Sequence, residues 1–157
     1  MTETPRADAE VDALIYSQLD ALPREGWGDI RLLSAELDAR LLEGDGGEPW
    51  GIWHNRGPDG TITFPYVKYS PLAERAMNEL GRHHLFVVFD WPEWFTRSVY
   101  RGHPELVDLA SPADAVRLYI RLVRGERFSE GAFFRALKDG TVQTIFRRLL
   151  THPAATI

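Results

Sequence analysis

No cysteine occurs in the 157 residues. That absence excludes a disulfide framework, thiolate metal ligation and a cysteine nucleophile, and it fits a reducing compartment. Long apolar runs are missing too. The longest, Leu85 to Phe89, has five residues, against the ~20 that a membrane-spanning helix requires. The opening, Met1 to Glu10, is acidic and lacks the basic-then-apolar order of a secretory signal. The expectation is a cytoplasmic protein that makes no membrane contact. Neither an internal repeat nor a low-complexity tract is visible. What is present is an ordinary globular balance of 44% hydrophobic, 26% charged and 11% aromatic residues. A chain of this size buries roughly 70% of its unfolded surface, so residues 1–157 read as a single domain.

Charge is unevenly placed along the chain. Residues 1–48 hold twelve acids and four bases, a balance of −8, while the whole chain carries −5 and the remainder therefore +3. The stretch from Arg117 to Arg148 is the most basic. Such a split either marks an anion-binding face at one end or cancels where acidic helices pack beside basic ones.

Residues 1–7 lack apolar spacing and are expected to fray. Across the acidic part, residues 8–48, Val11, Leu14, Ile15, Leu19 and Leu22 recur at helical spacing before Pro23. Ile30, Leu33, Leu37 and Leu41 predict a second helix from Asp29, its N-cap, to Glu43. The glycines at 44–47 open no helix after a strand, which leaves a phosphate cradle without support. Two aromatic, β-prone runs, Trp50–Arg56 and Thr61–Tyr69, flank Gly57-Pro58-Asp59-Gly60 and predict a hairpin. Pro65 marks the second strand as an edge. Ser70-Pro71 starts a short helix, and Leu85–Phe89 reads as a third strand covered on both faces. The sum is an α+β fold: a three-stranded antiparallel sheet of order 2-1-3, covered by N- and C-terminal helices. The last third is helical, with Pro92 at one start, Ser111-Pro112 at the next, and Ser129 and Thr141 as further caps.

None of the five histidines shows the i, i+4 pairing of a helical metal site, and His83 and His84 would point to opposite faces of the third strand. No metal centre or cofactor is expected. No nucleophile elbow or triad order occurs. Asp90, at the end of the apolar run, is the carboxylate best placed for acid–base chemistry, but the following Pro92 favours its reading as a helix cap that accepts backbone amides from residues 92 or 93. Arg117, Arg121 and Arg124 fall within about 60° on one side of a helix, opposite an apolar arc, with Arg127 just beyond Gly125. Guanidinium groups so clustered suit phosphate or carboxylate. Trp91 and Trp94 read as core or lid residues rather than stacking platforms, and neither is flanked by the alternating basic and aromatic residues of a single-strand binder.

Three blocks carry a resemblance: Phe64-Pro65-Tyr66-Val67-Lys68-Tyr69-Ser70, Phe89-Asp90-Trp91-Pro92-Glu93-Trp94, and Leu122-Val123-Arg124-Gly125-Glu126-Arg127-Phe128-Ser129-Glu130-Gly131. Together they resemble an uncharacterised prokaryotic group, domain of unknown function 6508, over a core of roughly residues 50–150. The resemblance implies a compact microbial domain with Asp90, Trp91, Arg124, Arg127 and Gly131 as signature positions, and it transfers no catalytic residue. Arg127-Phe128-Ser129 would form a helix junction with Phe128 buried and Ser129 capping.

Two functions follow as expectations. The first is a non-enzymatic binding or adaptor domain acting through a protein or small anionic ligand, with Arg117, Arg121, Arg124, Arg127, Trp91 and Trp94 as its binding residues. The alternative is a small enzyme with Asp90 as general acid or base and Arg124 and Arg127 holding an anionic substrate. Sequence-specific DNA binding is not expected: the chain is acidic overall and has neither a helix-turn-helix nor a zinc motif.

Overall fold

A computed structural model describes residues 7–156, Thr63 by its backbone alone. The expected fraying of residues 1–7 thus falls, except for Ala7, outside the described residues. Helix α1 (Asp8–Ala21) buries Val11, Ile15 and Leu19 and stops before Pro23. Helix α2 spans Arg24–Glu43 and starts a full turn earlier than expected, with Pro23 at its N-cap. The reason is Trp27, which joins Ile30, Leu33 and Leu37 on the buried stripe. Asp29 is therefore not a cap; it lies inside the helix, where its Oδ2 accepts from Arg82 at 3.2 Å.

Strands β1 (Gly51–Arg56) and β2 (Ile62–Tyr69) form the expected antiparallel hairpin, with Trp53 opposite Val67 and His54 opposite Tyr66. Its turn closes through Gly57 N–H to Thr61 O at 2.7 Å and Thr61 N–H to Asp59 Oδ1 at 3.0 Å, with Gly60 at φ +83°. Helix α3 (Pro71–Arg82) follows, capped by the Ser70 hydroxyl.

The three-stranded sheet of order 2-1-3 is not formed. Among the described residues the sheet has two strands, and the fold is a mostly helical α+β arrangement. Leu85–Phe89 forms no strand and is not part of that sheet. His84 at φ +60° turns the chain out of α3, and Leu85 and Val87 then drop into the helical core while Val88 faces outward. The run satisfies its apolar character against helices, and Gln18 Nε2 donates to the Phe86 carbonyl at 3.2 Å. His83 and His84 accordingly lie at a helix end, not in a strand.

Helix α4 (Trp91–Arg97) leads through short 3-10 turns to α5 (Pro112–Gly125), α6 (Ala132–Lys138) and α7 (Thr141–Leu149). Helix α5 is the centre of the packing and touches α1, α4, α6 and α7. One hydrophobic cluster draws on α1, α2, Trp50, α3, Leu85, Val87 and α4 to α7. The acids of the first two helices meet bases from later in the chain: Asp8 with Arg97, Asp12 with Arg117, Asp38 with Arg147. The charge split visible in the sequence is in this way partly neutralised across helix contacts.

Candidate functional site

The site is organised by the junction between α5 and α6. The Glu126 carboxylate takes three donors: Gly131 N–H at 2.9 Å, Phe133 N–H at 2.8 Å and the Tyr69 hydroxyl at 2.5 Å. It therefore caps α6, the role expected of Ser129, whose hydroxyl instead accepts from Arg135 at 3.2 Å. Thr141 likewise does not cap α7, since Asp139 Oδ1 accepts the Thr141 amide at 2.9 Å. Burial, and then the Glu126 carboxylate, push the Tyr69 hydroxyl well above the ordinary tyrosine range. Held by these bonds, the segment from Glu126 to Glu130 projects Phe128 outward. Its ring is 81% exposed, not buried as expected.

Aromatic and guanidinium groups alternate across this face. The Arg121 Cζ lies 3.4 Å from the centre of the Phe95 ring, and the Arg124 Cζ lies 4.7 Å from that of Phe86. At the end of α5 the Trp91 side chain approaches the backbone at Gly125, where a Cβ would sit 4.0 Å from Cη2. The Trp91 and Phe128 rings are 6.3 Å apart at an interplanar angle of 37°. This pair forms a common wall between two cavities. One, of about 430 Å³, is lined by Arg121, Arg135, Phe95, Ser129, Thr141 and Asp139 among others. The second, of about 330 Å³, holds Arg124, Arg127, Phe86 and Phe89 and has no carboxylate in its lining.

Arg121 and Arg124 differ electrostatically from five other arginines of the chain. Arg75, Arg82, Arg97, Arg117 and Arg147 each meet a carboxylate. Arg121 and Arg124 are half-buried, yet among the described residues they make no hydrogen bond or ion pair beyond the helix backbone, only the ring contacts. Burial alone pulls the Arg121 guanidinium below its usual range; it remains a cation. A desolvated guanidinium lying flat on a ring keeps its N–H edge free for oxygen acceptors.

The remaining predicted residues lie elsewhere. The expected arginine stripe is split, because the polar side of α5 is covered by α1 and α4. Arg117 is only 2% exposed. It donates to Asp12 Oδ1, to Asp114 Oδ1 at 3.1 Å and to the Asp8 carbonyl at 2.9 Å, and it stands over Trp94. Trp94 is itself buried, with Phe89 and Tyr100 about it at 6.1 and 6.0 Å. Asp90 is exposed; its Oδ1 accepts the Glu93 amide at 3.1 Å, the cap of α4, and it borders neither cavity. Sequence reasoning missed Phe86, Phe95, Phe128 and Arg135 as members of the face. They come from four separate segments, and no periodicity links them.

One His–carboxylate group is brought together as well. Donor atoms of Asp29, Glu79 and His83 lie within 4.8 Å of one another. Glu79 and His83 stand i, i+4 on α3, a pairing that counting histidine pairs alone passes over. Arg82 Nη2 already occupies the space between them, 2.8 Å from Glu79 and 3.2 Å from Asp29. The guanidinium supplies the positive charge a metal ion would bring.

No helix among the described residues is long and apolar enough to cross a membrane. No curated protein and no solved structure matches the chain. The matched region, residues 42–152, takes in both cavities with their arginines, the hairpin and Gly131, and leaves out α1 and nearly all of α2. Over that region, more than half its length, the chain belongs to a family of unknown function (DUF6508).

Proposed function

We propose that the protein is a cytoplasmic binding domain that holds an anionic partner on the arginine–aromatic face of α4, α5 and their connecting segments. The observation that carries this reading is Arg121. It is a half-buried cation beside a cavity of about 430 Å³, stacked on Phe95, with no carboxylate to meet it among the described residues. Burying a cation without a counter-charge costs free energy, and a ligand oxygen would offset that cost. Arg124 and Arg127 extend the same surface, whereas Arg117 and Trp94 leave the binding set because they serve the core. Nothing in the arrangement favours Asp90 as an acid or base, since its carboxylate faces a backbone amide and lies outside both cavities.

Calorimetric titration with tripolyphosphate and with hexaglutamate tests the proposal. Binding should be measurable at low salt and weaken as salt rises. The triple change Arg121→Gln, Arg124→Gln, Arg127→Gln should reduce affinity at least tenfold while the chain still melts cooperatively, within about 8 °C of the unaltered protein. A triple variant that binds both anions as tightly as the unaltered chain overturns it.

A further inference from the structure

The two cavities share one aromatic wall and carry guanidinium groups on both outer sides. Resting on the anion-binding reading above, we propose that the ligand is a single-stranded nucleic-acid segment. One base would lie on the Trp91–Phe128 platform, one flanking phosphate at Arg121 and Arg135, and the other at Arg124 and Arg127. Three observations favour this chemistry over an acidic peptide. Phe128 is 81% exposed and its ring stands 6.3 Å from that of Trp91, tilted by 37°, an exposed aromatic face that a carboxylate chain has no use for and a base does. The arginines are divided between the two sides of that surface, which matches a phosphate–base–phosphate repeat better than a single anion. Finally, the face sets guanidinium groups beside ring planes, the combination that holds single strands with little sequence preference. The lone carboxylate of the larger cavity, Asp139, is engaged with the Thr141 amide.

The test is fluorescence anisotropy with a labelled five-residue oligothymidylate, in competition with thymidine monophosphate and hexaglutamate, across a salt series. The pentamer should bind at least tenfold more tightly than the mononucleotide. With two phosphates held, the slope of log K against log salt should be about −1.4. Replacing either pair, Arg121→Gln with Arg135→Gln or Arg124→Gln with Arg127→Gln, should reduce the slope to about −0.7. Phe128→Ala, at a side chain already 81% exposed and outside the buried core, should weaken the pentamer about tenfold. Mononucleotide binding equal to the pentamer's overturns the two-sided arrangement. Hexaglutamate binding equal to the pentamer's, or a Phe128→Ala variant of unchanged affinity, overturns the nucleic-acid assignment and leaves the anion-binding reading standing. Failure of all three probes removes both.

Discussion

At Gly131 two constraints meet. Its φ of +87° is in the left-handed region, and a Cβ there would lie 2.4 Å from Trp53 Cζ2. Either alone favours glycine; together they leave no alternative, because the hairpin is docked against this point of the chain. Gly131→Ala should cost at least about 2 kcal/mol, from the left-handed penalty and overpacking combined, read as a lowered midpoint in urea. A loss below 0.5 kcal/mol would show that Trp53 moves aside freely. The same scale holds a pH prediction. Asp8 accepts two hydrogen bonds from Arg97, at 2.7 and 2.6 Å, and these hold its carboxyl below the usual carboxylate range. A lowered folded-state pKa stabilises the fold above the unfolded value of ~3.9 and ceases to do so as pH falls through the folded value. Both side chains are about half exposed, so the pair contributes at most about 1 kcal/mol. Asp8→Asn should therefore lower the melting temperature slightly at pH 6, and the gap should close as pH falls below the folded-state value. A gap that stays the same at low pH would show that the carboxylate charge is not what matters.

Helix α5 shows where periodicity stops being informative. Its apolar arc is real: Val116, Tyr119 and Ile120 are buried. The inference that the opposite side faces water assumes one packed face, and α5 is covered nearly all round by α1, α4, α6 and α7. Arg117 was legible as a residue of the polar side, but not as an interior one, because Asp12 and the Asp8 carbonyl, which fix it there, are about a hundred residues away. The structure thus separates three arginines of one stripe by their energetic roles. Arg117→Gln removes the bonds to Asp12 and Asp114 and should cost about 3 kcal/mol. Arg121→Gln loses a ring contact worth about 1 kcal/mol or less. Paired thermal melts of the two variants distinguish them, and equal losses would contradict the division. The caps at Ser70 and Ser111 and the hairpin turn were readable because their bonds close within a few residues. The α6 cap was not, because its acceptor, Glu126, reaches across a loop.

On the scale of the whole molecule, the misread strand and the two N-terminal helices teach the same lesson. A five-residue apolar run specifies burial, not a partner, and Leu85–Phe89 found helices where a sheet was expected. Which surface an apolar stripe meets is a non-local fact. It decides the standing of α1 and α2, which lie almost wholly outside the family match at residues 42–152. That boundary suggests a dispensable addition, and the packing says the opposite. Val11, Ile15, Leu19, Leu22, Trp27, Ile30, Leu33 and Leu37 are all buried in the same cluster as α3 and α5 to α7. At roughly 1.5–3 kcal/mol for each large apolar side chain taken from water, the eight are worth as much as or more than the roughly 5–15 kcal/mol by which a domain is ordinarily stable. It would also strip Arg117 and Arg147 of Asp12 and Asp38. A fragment of residues 42–157 should consequently show no cooperative thermal transition and should bind a dye for exposed apolar surface, while the full chain melts in a single step. A fragment that melts cooperatively within a few degrees of the full chain would mean that α1 and α2 cover a core already complete without them.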